Sequence, residues 1–314
     1  MKSKLFSHRT LPEMYNLEVG DGHKIYVEAS GKKDGIPVIF IHGGPGGHCR
    51  SEHHNMFNPK VFRSIIYDQR GCGKSYPYRS TSKNDTESLV NDLELIRNFF
   101  NFGKFMIVGG SWGATLALKY SIHYPNRISA ILLRSVFLGT MDEIKWAFID
   151  GPKILAPEIY KQFCSFFSKN CNLIEKYYDE ICNKSSKFHS WIWHDYERTL
   201  SQINPNQYKF DSSELIEKRE GMPNSPKMEL HYIKNNFFME DNEILKNISS
   251  LNNIPGYIVQ GRYDIICPPV NAFNLSENWT NSKLIIVNSA GHSSADPGIT
   301  ENMLKGLEEL SQII

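Results

Sequence analysis

The sequence predicts an α/β protein with a mostly parallel central sheet, helices on both faces, and a helical cap inserted after the sixth strand. Short apolar segments rich in β-branched residues alternate with segments of helical periodicity. The central apolar segments are continuous, as expected for strands covered on both faces. One long stretch, residues 140–251, has helical periodicity and almost no strand pattern. It divides a core domain into two sequence pieces, 1–139 and 252–314.

The elements follow in chain order. The first two strands flank Gly20-Asp-Gly22, a turn sequence typical of β-hairpins. A helix starts at Asp85 or Thr86, both of which are good N-cap residues, and its apolar residues recur at helical spacing. The predicted strands are 14–19, 24–29, 37–42, 63–68, 104–108, 127–133, 254–260 and 283–287, and further helices span 114–123 and 298–314.

Composition excludes several classes of function. The chain has 314 residues and a formal net charge of +1 without a basic stripe, which argues against a nucleic-acid partner. No apolar run approaches the roughly 20 residues that span a bilayer, and the N-terminus lacks a secretory signal. Six cysteines form no C-x-x-C pair, which predicts free thiols in a reducing cytoplasm. No metal-ligand cluster is found, and no cofactor is expected.

The chemistry centres on residues 109–113, which read Gly-Gly-Ser-Trp-Gly and match G-x-S-x-G. A predicted strand precedes this motif and a predicted helix follows it. Such a sharp strand-to-helix turn exposes the central side chain, so Ser111 is the candidate nucleophile. Dehalogenases and epoxide hydrolases with this turn use a carboxylate there. A hydroxyl instead indicates acyl transfer by a peptidase, amidase, esterase or lipase.

A serine nucleophile needs a base and an acid that orients it. In α/β-hydrolases the chain order is nucleophile, acid, histidine. Asp264 directly follows a late strand and His292 follows the last one, so both lie where parallel strands end and build sites. We interpret Asp264 as the acid and His292 as the base. A turn residue or arginine partner remains the alternative for Asp264, and a surface-loop histidine for His292.

The oxyanion hole is expected from backbone N–H groups. One donor is Trp112, at the start of the helix where the amide has no intrahelical partner. The other is expected in residues 42–47, His-Gly-Gly-Pro-Gly-Gly, with Gly44 first and Gly43 next. His42 is interpreted as a structural residue that fixes this loop. The alternative is a simple tight turn after a strand.

A second glycine-containing segment, residues 68–75, reads Asp-Gln-Arg-Gly-Cys-Gly-Lys-Ser. Its glycines are compatible with phosphate binding, but the Walker spacing is absent. We therefore interpret it as a structural turn after a strand.

These motifs resemble those of the prolyl aminopeptidases (proline iminopeptidases), which have the α/β-hydrolase fold. The resemblance runs nearly end to end, and the combination of Gly-Gly-Ser-Trp-Gly with His-Gly-Gly-Pro-Gly-Gly is its most specific part. It implies an enzyme that releases an N-terminal residue, preferentially proline, from short peptides. The matching segments are 19–23, 42–47, 67–75, 109–118, 261–264 and 290–292.

An aminopeptidase must bind a free α-amine, which calls for carboxylates in a partly dry pocket. The resemblance assigns this role to Glu197 and Glu229 in the helical cap, where the alternative is a solvated helix face. It also suggests that Phe137 and Trp146, together with the Trp112 ring, pack on the pyrrolidine ring of proline. Core packing is the rival explanation for these aromatic residues.

Two departures from the family pattern concern the pocket. Tyr196 precedes Glu197 where the family has Trp, and residues 133–137 read Leu-Arg-Ser-Val-Phe where the family has Leu-Arg-Gly-Ile-Phe. We expect an altered pocket shape, which bears on proline preference more than on amine recognition. An esterase or amidase without amine recognition, and a non-catalytic binding module, remain the alternatives.

Overall fold

The computed structural model describes residues 5–8, 10–169, 171–204, 210 and 220–314. Eight strands form one sheet, and each lies close to its predicted position. They are Glu13–Gly20 (β1), His23–Gly31 (β2), Ile36–Ile41 (β3), Phe62–Tyr67 (β4), Phe105–Ser111 (β5), Ile128–Val136 (β6), Gly256–Gly261 (β7) and Ser282–Val287 (β8). The strand order is β1-β2-β4-β3-β5-β6-β7-β8. Only the β1–β2 and β2–β4 pairs are antiparallel, so the predicted mostly parallel sheet is confirmed.

The predicted hairpin joins β1 to β2. Gly20 pairs with His23, which leaves Asp21 and Gly22 as the two loop residues. Both have positive φ angles, 53° and 77°. This is the backbone of a type I′ turn, whose twist matches that of the flanking strands.

Helices cover both faces of the sheet. They are Thr86–Phe99 (α1), Trp112–His123 (α2), Met141–Lys145 (α3), Gly151–Leu155 (α4), Pro157–Cys164 (α5), Leu173–Tyr178 (α6), Lys187–Leu200 (α7), Ser225–Lys234 (α8), Glu243–Asn247 (α9), Pro269–Asn278 (α10) and Ile299–Ser311 (α11). Asp85 is the N-cap of α1, because its carboxylate accepts a hydrogen bond from the Ser88 N–H. Within the described ranges, none of the helices combines the length and hydrophobicity needed to cross a bilayer.

The core has two parts, one on each side of the sheet. Along β3, Ile39 and Ile41 belong to the cluster that includes α1 and α2, whereas Val38 belongs to the cluster that includes α11. Successive strand side chains point to opposite faces, so a strand that is apolar at every position serves both clusters. This explains the continuous apolar runs of the central strands.

The helices from α3 to α9 lie in chain order between β6 and β7, so the helical segment interrupts the sheet after its sixth strand. We call this group of helices the cap. The described segments 140–169, 171–204 and 220–251 contain no strand. The cap contacts the carboxyl edge of the sheet, where Asn224 bonds to Gly46 and Gly71 and His231 bonds to Asn84.

Residues 68–75 form a structural turn, as predicted. The two carboxylate oxygens of Asp68 accept hydrogen bonds from the backbone N–H groups of Cys49 and Lys74, at 2.6 and 2.7 Å. A methyl group on Gly73 would collide with the same carboxylate, which therefore fills the space inside the turn. Arg70 forms a bidentate ion pair with Asp92 of α1. A side chain of the protein thus occupies the inside of the turn, which argues against phosphate binding there.

Candidate active site

The strand-to-helix turn at Ser111 has the backbone of a nucleophile elbow. β5 ends at Ser111 and α2 begins at Trp112. Ser111 has φ 56° and ψ −128°, a conformation that residues with a side chain rarely adopt. The flanking glycines permit the close packing, since a methyl group on Gly113 would lie 2.4 Å from the Ile41 carbonyl oxygen. The hydroxyl of Ser111 is thereby presented at the carboxyl edge of the sheet.

Asp264 and His292 are in direct contact. His292 Nδ1 lies 3.0 Å from Asp264 Oδ2 and 3.1 Å from Oδ1. The Asp264 carboxylate is buried and also accepts hydrogen bonds from the backbone N–H groups of Ile266 and Cys267. These donors fix the orientation of the carboxylate that faces the imidazole. Because Nδ1 is engaged by Asp264, Nε2 is the nitrogen that remains to exchange a proton.

The main chain of His292 is fixed beside the nucleophile strand. β8 lies three strands away from β5 in the sheet, so the loop after β8 must reach back across the edge. The carbonyl oxygen of His292 accepts hydrogen bonds from the Arg134 guanidinium and from Ser135 Oγ. Arg134 is paired with Gly110 in the parallel β5–β6 ladder, one residue before Ser111. These bonds hold the main chain of His292 at the carboxyl end of β6, the strand that pairs with β5.

The glycine-rich loop after β3 lies against the nucleophile. A methyl group on Gly43 would come 3.5 Å from Ser111 Cβ, and Gly44 lines the same cavity as Ser111. The Gly43 carbonyl accepts hydrogen bonds from the His42 ring and from Gly47 N–H. Since the N–H and C=O of a trans peptide point in opposite directions, the Gly44 N–H points away from His42. This orientation favours Gly44 over Gly43 as an oxyanion donor, with the Trp112 N–H at the helix start as the second.

His42 fixes this loop, as its interpretation as a structural residue anticipates. The backbone N–H of Gln69 donates to His42 Nε2 at 3.1 Å, so Nδ1 carries the proton that is donated to Gly43. Burial lowers the pKa of His42 and keeps the imidazole neutral. Gln69 also accepts a hydrogen bond of 2.9 Å from the Trp112 indole. One side chain therefore links the loop to the start of α2.

A cavity of about 400 Å³, its open mouth included, lies between the elbow and the cap. Ser111 and Gly44 contribute to its lining together with two carboxylates, Glu197 and Glu229. The rest of the wall is mainly apolar. It is formed by Pro45, Phe137, Ile144, Ala147, Phe148, Ile233, Phe237, Ile266 and Cys267.

The two carboxylates form an interacting pair in this apolar setting. Glu229 of α8 is only 4% exposed. Its Oε2 accepts a 2.6 Å hydrogen bond from the Trp193 indole, whereas Oε1 has no hydrogen-bond partner within the described part of the chain. Burial and then the charge of Glu197 raise the pKa of Glu229 well above its ordinary value. Burial also raises the pKa of Glu197, while the positive form of His292 opposes this shift. Two interacting carboxylates repel each other when both are ionised, and a bound cation would relieve that repulsion.

Comparison with known proteins agrees with this geometry. Residues 36–154 match the family model described as alpha/beta hydrolase fold. The chain is 36% identical to a proline iminopeptidase of Neisseria gonorrhoeae over 305 residues, covering 94% of each chain. It is 34% identical to a proline iminopeptidase of Arabidopsis thaliana over 309 residues, covering 95% of this chain and 80% of the relative. The chain belongs to the proline iminopeptidase family.

A solved structure also shares its fold. The chain resembles a bromoperoxidase from Bacillus anthracis with a TM-score of 0.66, over 96% of this chain and all of the other. The two sequences are 18% identical, so this likeness concerns the fold alone.

Five of the predicted site residues line one cavity, namely Gly44, Ser111, Phe137, Glu197 and Glu229. Phe137 lines the cavity and contacts Phe237, with ring centroids 5.0 Å apart. Trp146 is not among the lining residues, which include Ile144, Ala147 and Phe148. These three share one helical face at spacings of three and four residues, whereas Trp146 faces elsewhere and packs against Gly151. The suggestion that Trp146 contacts the substrate ring stays a prediction, and this packing does not support it.

The side chain of Trp112 belongs to the core of the protein. It is fully buried, packs on Tyr232 and Phe237, and donates its indole N–H to Gln69. Core packing, the rival explanation, accounts for its side chain. Only its backbone N–H remains a candidate for the oxyanion hole.

Three residues near the site were missed by sequence reasoning. Gln69 connects the glycine-rich loop to α2, Phe148 lines the cavity, and the Cys267 thiol contacts the Ser111 side chain. Burial raises the pKa of the Cys267 thiol, which therefore stays protonated. The spacing of Ile144, Ala147 and Phe148 is a sequence signal that identifies Phe148. No local pattern identifies Gln69.

Proposed function

We propose that this protein is a serine exopeptidase that releases an N-terminal residue, preferentially proline, from short peptides. Membership of the proline iminopeptidase family supports the activity. The observation that carries the proposal is the Glu197–Glu229 pair, which lines the same cavity as Ser111 and of which Glu229 is buried. A substrate ammonium would supply a cation to this pair, and in a dry cavity such ion pairs are stronger than in water.

In the proposed mechanism Ser111 Oγ attacks the carbonyl carbon of the first peptide bond. His292 Nε2 takes the serine proton and later gives it to the leaving amine. Asp264 holds the histidine ring in place and stabilises its positive form. The N–H groups of Gly44 and Trp112 bind the oxyanion, each stabilising the transition state by roughly 3 kcal/mol. Water then hydrolyses the acyl-enzyme by the same steps in reverse.

The cavity accounts for an exopeptidase that favours proline. An extended or blocked N-terminus would place a neutral amide against the two carboxylates and leave them without a counter-ion. The apolar wall suits a compact ring, and proline keeps a positively charged secondary amine beside it. Phe137, Phe148 and Phe237 are the aromatic residues available to contact the pyrrolidine ring.

The proposal also covers the domain organisation, the location and the partners of the protein. Residues 140–251 form a cap domain on a core of residues 1–139 and 252–314, and the cap restricts access to short peptides. All six cysteines are free, which supports a reducing, cytoplasmic location. The substrates are small peptides, and neither a nucleic-acid nor a membrane partner is proposed.

The test compares kcat/KM for p-nitroanilides of proline, alanine and leucine, each with a free and an N-acetylated amine. The proposal expects free proline to be preferred by more than about tenfold, a difference of ~1.4 kcal/mol. It also expects acetylation to abolish turnover. The alternative function, an esterase or amidase without amine recognition, predicts that free and acetylated substrates are cleaved alike. That result would overturn the proposal.

A further inference from the structure

The first turn of α8 rests directly on the glycine-rich loop of the site. A methyl group on Gly46 would lie 2.7 Å from Ser225 Cα and 2.8 Å from Met228 Cβ. Gly46 has φ 98° and is two residues from Gly44, the candidate oxyanion donor. The cap helix and the loop are therefore in backbone contact at this point.

The side chain of Asn224, just before α8, bridges two carbonyls of the core. Its Nδ2 donates to the Gly71 carbonyl at 3.0 Å and to the Gly46 carbonyl at 3.3 Å. Two carbonyl acceptors fix the orientation of the amide, because only its nitrogen can donate. Asn224 makes no capping hydrogen bond to α8, so its role is not helix capping. Among the described residues its buried Oδ1 has no partner, so the donor contacts are what asparagine contributes here.

These contacts connect two parts of the site that act at opposite ends of the substrate residue. The loop is closed by the bond from Gly47 N–H to the Gly43 carbonyl, so a shift at Gly46 is carried to the Gly44 N–H. The same helix α8 carries Glu229. In the N-terminal residue of a peptide, a single Cα separates the amine nitrogen from the scissile carbonyl carbon, so the distance between these two groups is fixed. An enzyme for such substrates must hold its carboxylate and its oxyanion donor at a matching distance.

We propose that Asn224 is a positioning residue that connects the glycine-rich loop to α8. Polarisation of the scissile carbonyl by the Gly44 N–H then depends on the position of α8. This inference rests on the proposed exopeptidase function. Asn224 does not touch the substrate. It fixes the Gly44 N–H relative to the Ser111 hydroxyl and the Glu229 carboxylate.

The test is Asn224→Ala, assayed with proline p-nitroanilide and with a small fluorophosphonate. Phosphonylation of Ser111 requires the nucleophile, the base and the oxyanion hole, but no amine. We expect kcat for the anilide and the phosphonylation rate to fall together by about tenfold to a hundredfold, the effect of a misplacement near 1 Å. KM for the anilide should change little, because the Glu197–Glu229 pair remains in place.

Tyr232→Phe is the matched control. It removes another bond between α8 and the core, from the Tyr232 hydroxyl to Asn84 Oδ1 at 2.8 Å, without touching the glycine-rich loop. We expect this variant to keep both rates. Equal losses in the two variants would overturn the inference, since general docking of the cap would then explain them. A raised KM with unchanged phosphonylation in Asn224→Ala would overturn it too.

The two proposals fail in different ways. If the wild-type protein does not distinguish free from acetylated anilides, the exopeptidase function fails, yet the phosphonylation comparison still tests Asn224. If Asn224→Ala does not fold, as judged by circular dichroism, Asn224→Ser replaces it. Its shorter hydroxyl cannot bridge both carbonyls, so the same loss is expected.

Discussion

The indole N–H of Trp193 donates a 2.6 Å hydrogen bond to the buried carboxylate of Glu229. Trp193 is fully buried in α7 and stacks on Phe148, which lines the cavity. The bond favours the ionised form of Glu229 against the burial that disfavours it. It also leaves the second oxygen of Glu229 available to a ligand. Trp193 therefore favours the charged form of Glu229, the form that the proposed amine recognition requires.

Trp193→Phe should weaken amine recognition. A hydrogen bond to a charged group contributes about 1.5–3 kcal/mol, so we expect kcat/KM for proline p-nitroanilide to fall by about tenfold or more. Phosphonylation of Ser111 by a fluorophosphonate should be unchanged. Trp191→Phe, on the same helix but with a half-buried ring, is the control. An equal fall in both assays would contradict this role for Trp193.

The carboxylate pair predicts an acid limit to substrate binding. Burial raises the pKa of both Glu197 and Glu229, and a protonated carboxyl cannot form an ion pair with the substrate ammonium. KM for proline p-nitroanilide should therefore rise as the pH falls through these raised pKa values. In Glu197→Gln the charge that raises the pKa of Glu229 is lost. The rise in KM should therefore begin at a lower pH, while the maximal kcat/KM decreases. Steady-state kinetics between pH 5 and 9 measure both effects, and a rise in KM at the same pH as in the wild type would contradict the coupling.

The residues that sequence patterns could identify lie directly after strands. Ser111 ends β5, Asp264 and His292 follow β7 and β8, and parallel strands bring their carboxyl ends to one edge. The hairpin and the first helix cap were also set by local chemistry. Most of the fold could therefore be predicted from short segments of sequence.

The rest depends on contacts between distant segments. Gln69 reaches Trp112, and Asn224 reaches Gly46, across long stretches of chain that carry no periodic signal. Trp146 was suggested as a substrate contact together with Phe137, but the helical face that a residue occupies decides whether its side chain reaches the cavity. In a cap rich in aromatic residues, an aromatic ring alone does not identify a substrate contact.

The backbone at Ser111 predicts separate effects on activity and stability. Ser111→Ala removes the nucleophile and should lower kcat by on the order of 10⁴-fold or more with the fold intact. Ser111→Gly should be equally inactive but more stable than Ser111→Ala by ~1 kcal/mol, since glycine adopts φ 56° without strain. Urea unfolding followed by circular dichroism measures the difference. Equal unfolding free energies would show that the elbow is not strained.

Glu143 predicts a pH-dependent stability. This buried carboxyl accepts hydrogen bonds from the backbone N–H groups of Leu138 and Thr140, where the chain enters the cap. Burial, partly offset by these bonds, raises the pKa of Glu143 from 4.5 to about 7. The folded state then binds the proton more tightly than the unfolded state. The stability contributed by this proton is present below pH 4.5 and is lost as the pH rises toward 7.

In Glu143→Gln this pH dependence should disappear. The free energy of unfolding of the wild type, relative to the variant, should decrease by up to about 3 kcal/mol between pH 4.5 and 7.5. Urea titrations at several pH values measure it. Glu301→Gln, at the start of α11, is a control on a half-buried carboxyl. Parallel pH profiles for wild type and Glu143→Gln would contradict the raised pKa.

The Arg70–Asp92 pair predicts a stability effect without a catalytic one. Both side chains are buried, and Arg70 Nε and Nη2 bind the two Asp92 oxygens at 2.8 Å each. Asp92→Asn leaves the buried guanidinium with only the half-exposed Asp21 as an anionic partner, so we expect unfolding to become easier by about 3 kcal/mol. Glu309→Gln, which removes the exposed partner of Lys283, should cost less than about 1 kcal/mol. Because the turn at residues 68–75 is structural, kcat/KM of folded Asp92→Asn should match the wild type. A selective loss of activity would instead assign that turn a part in the reaction.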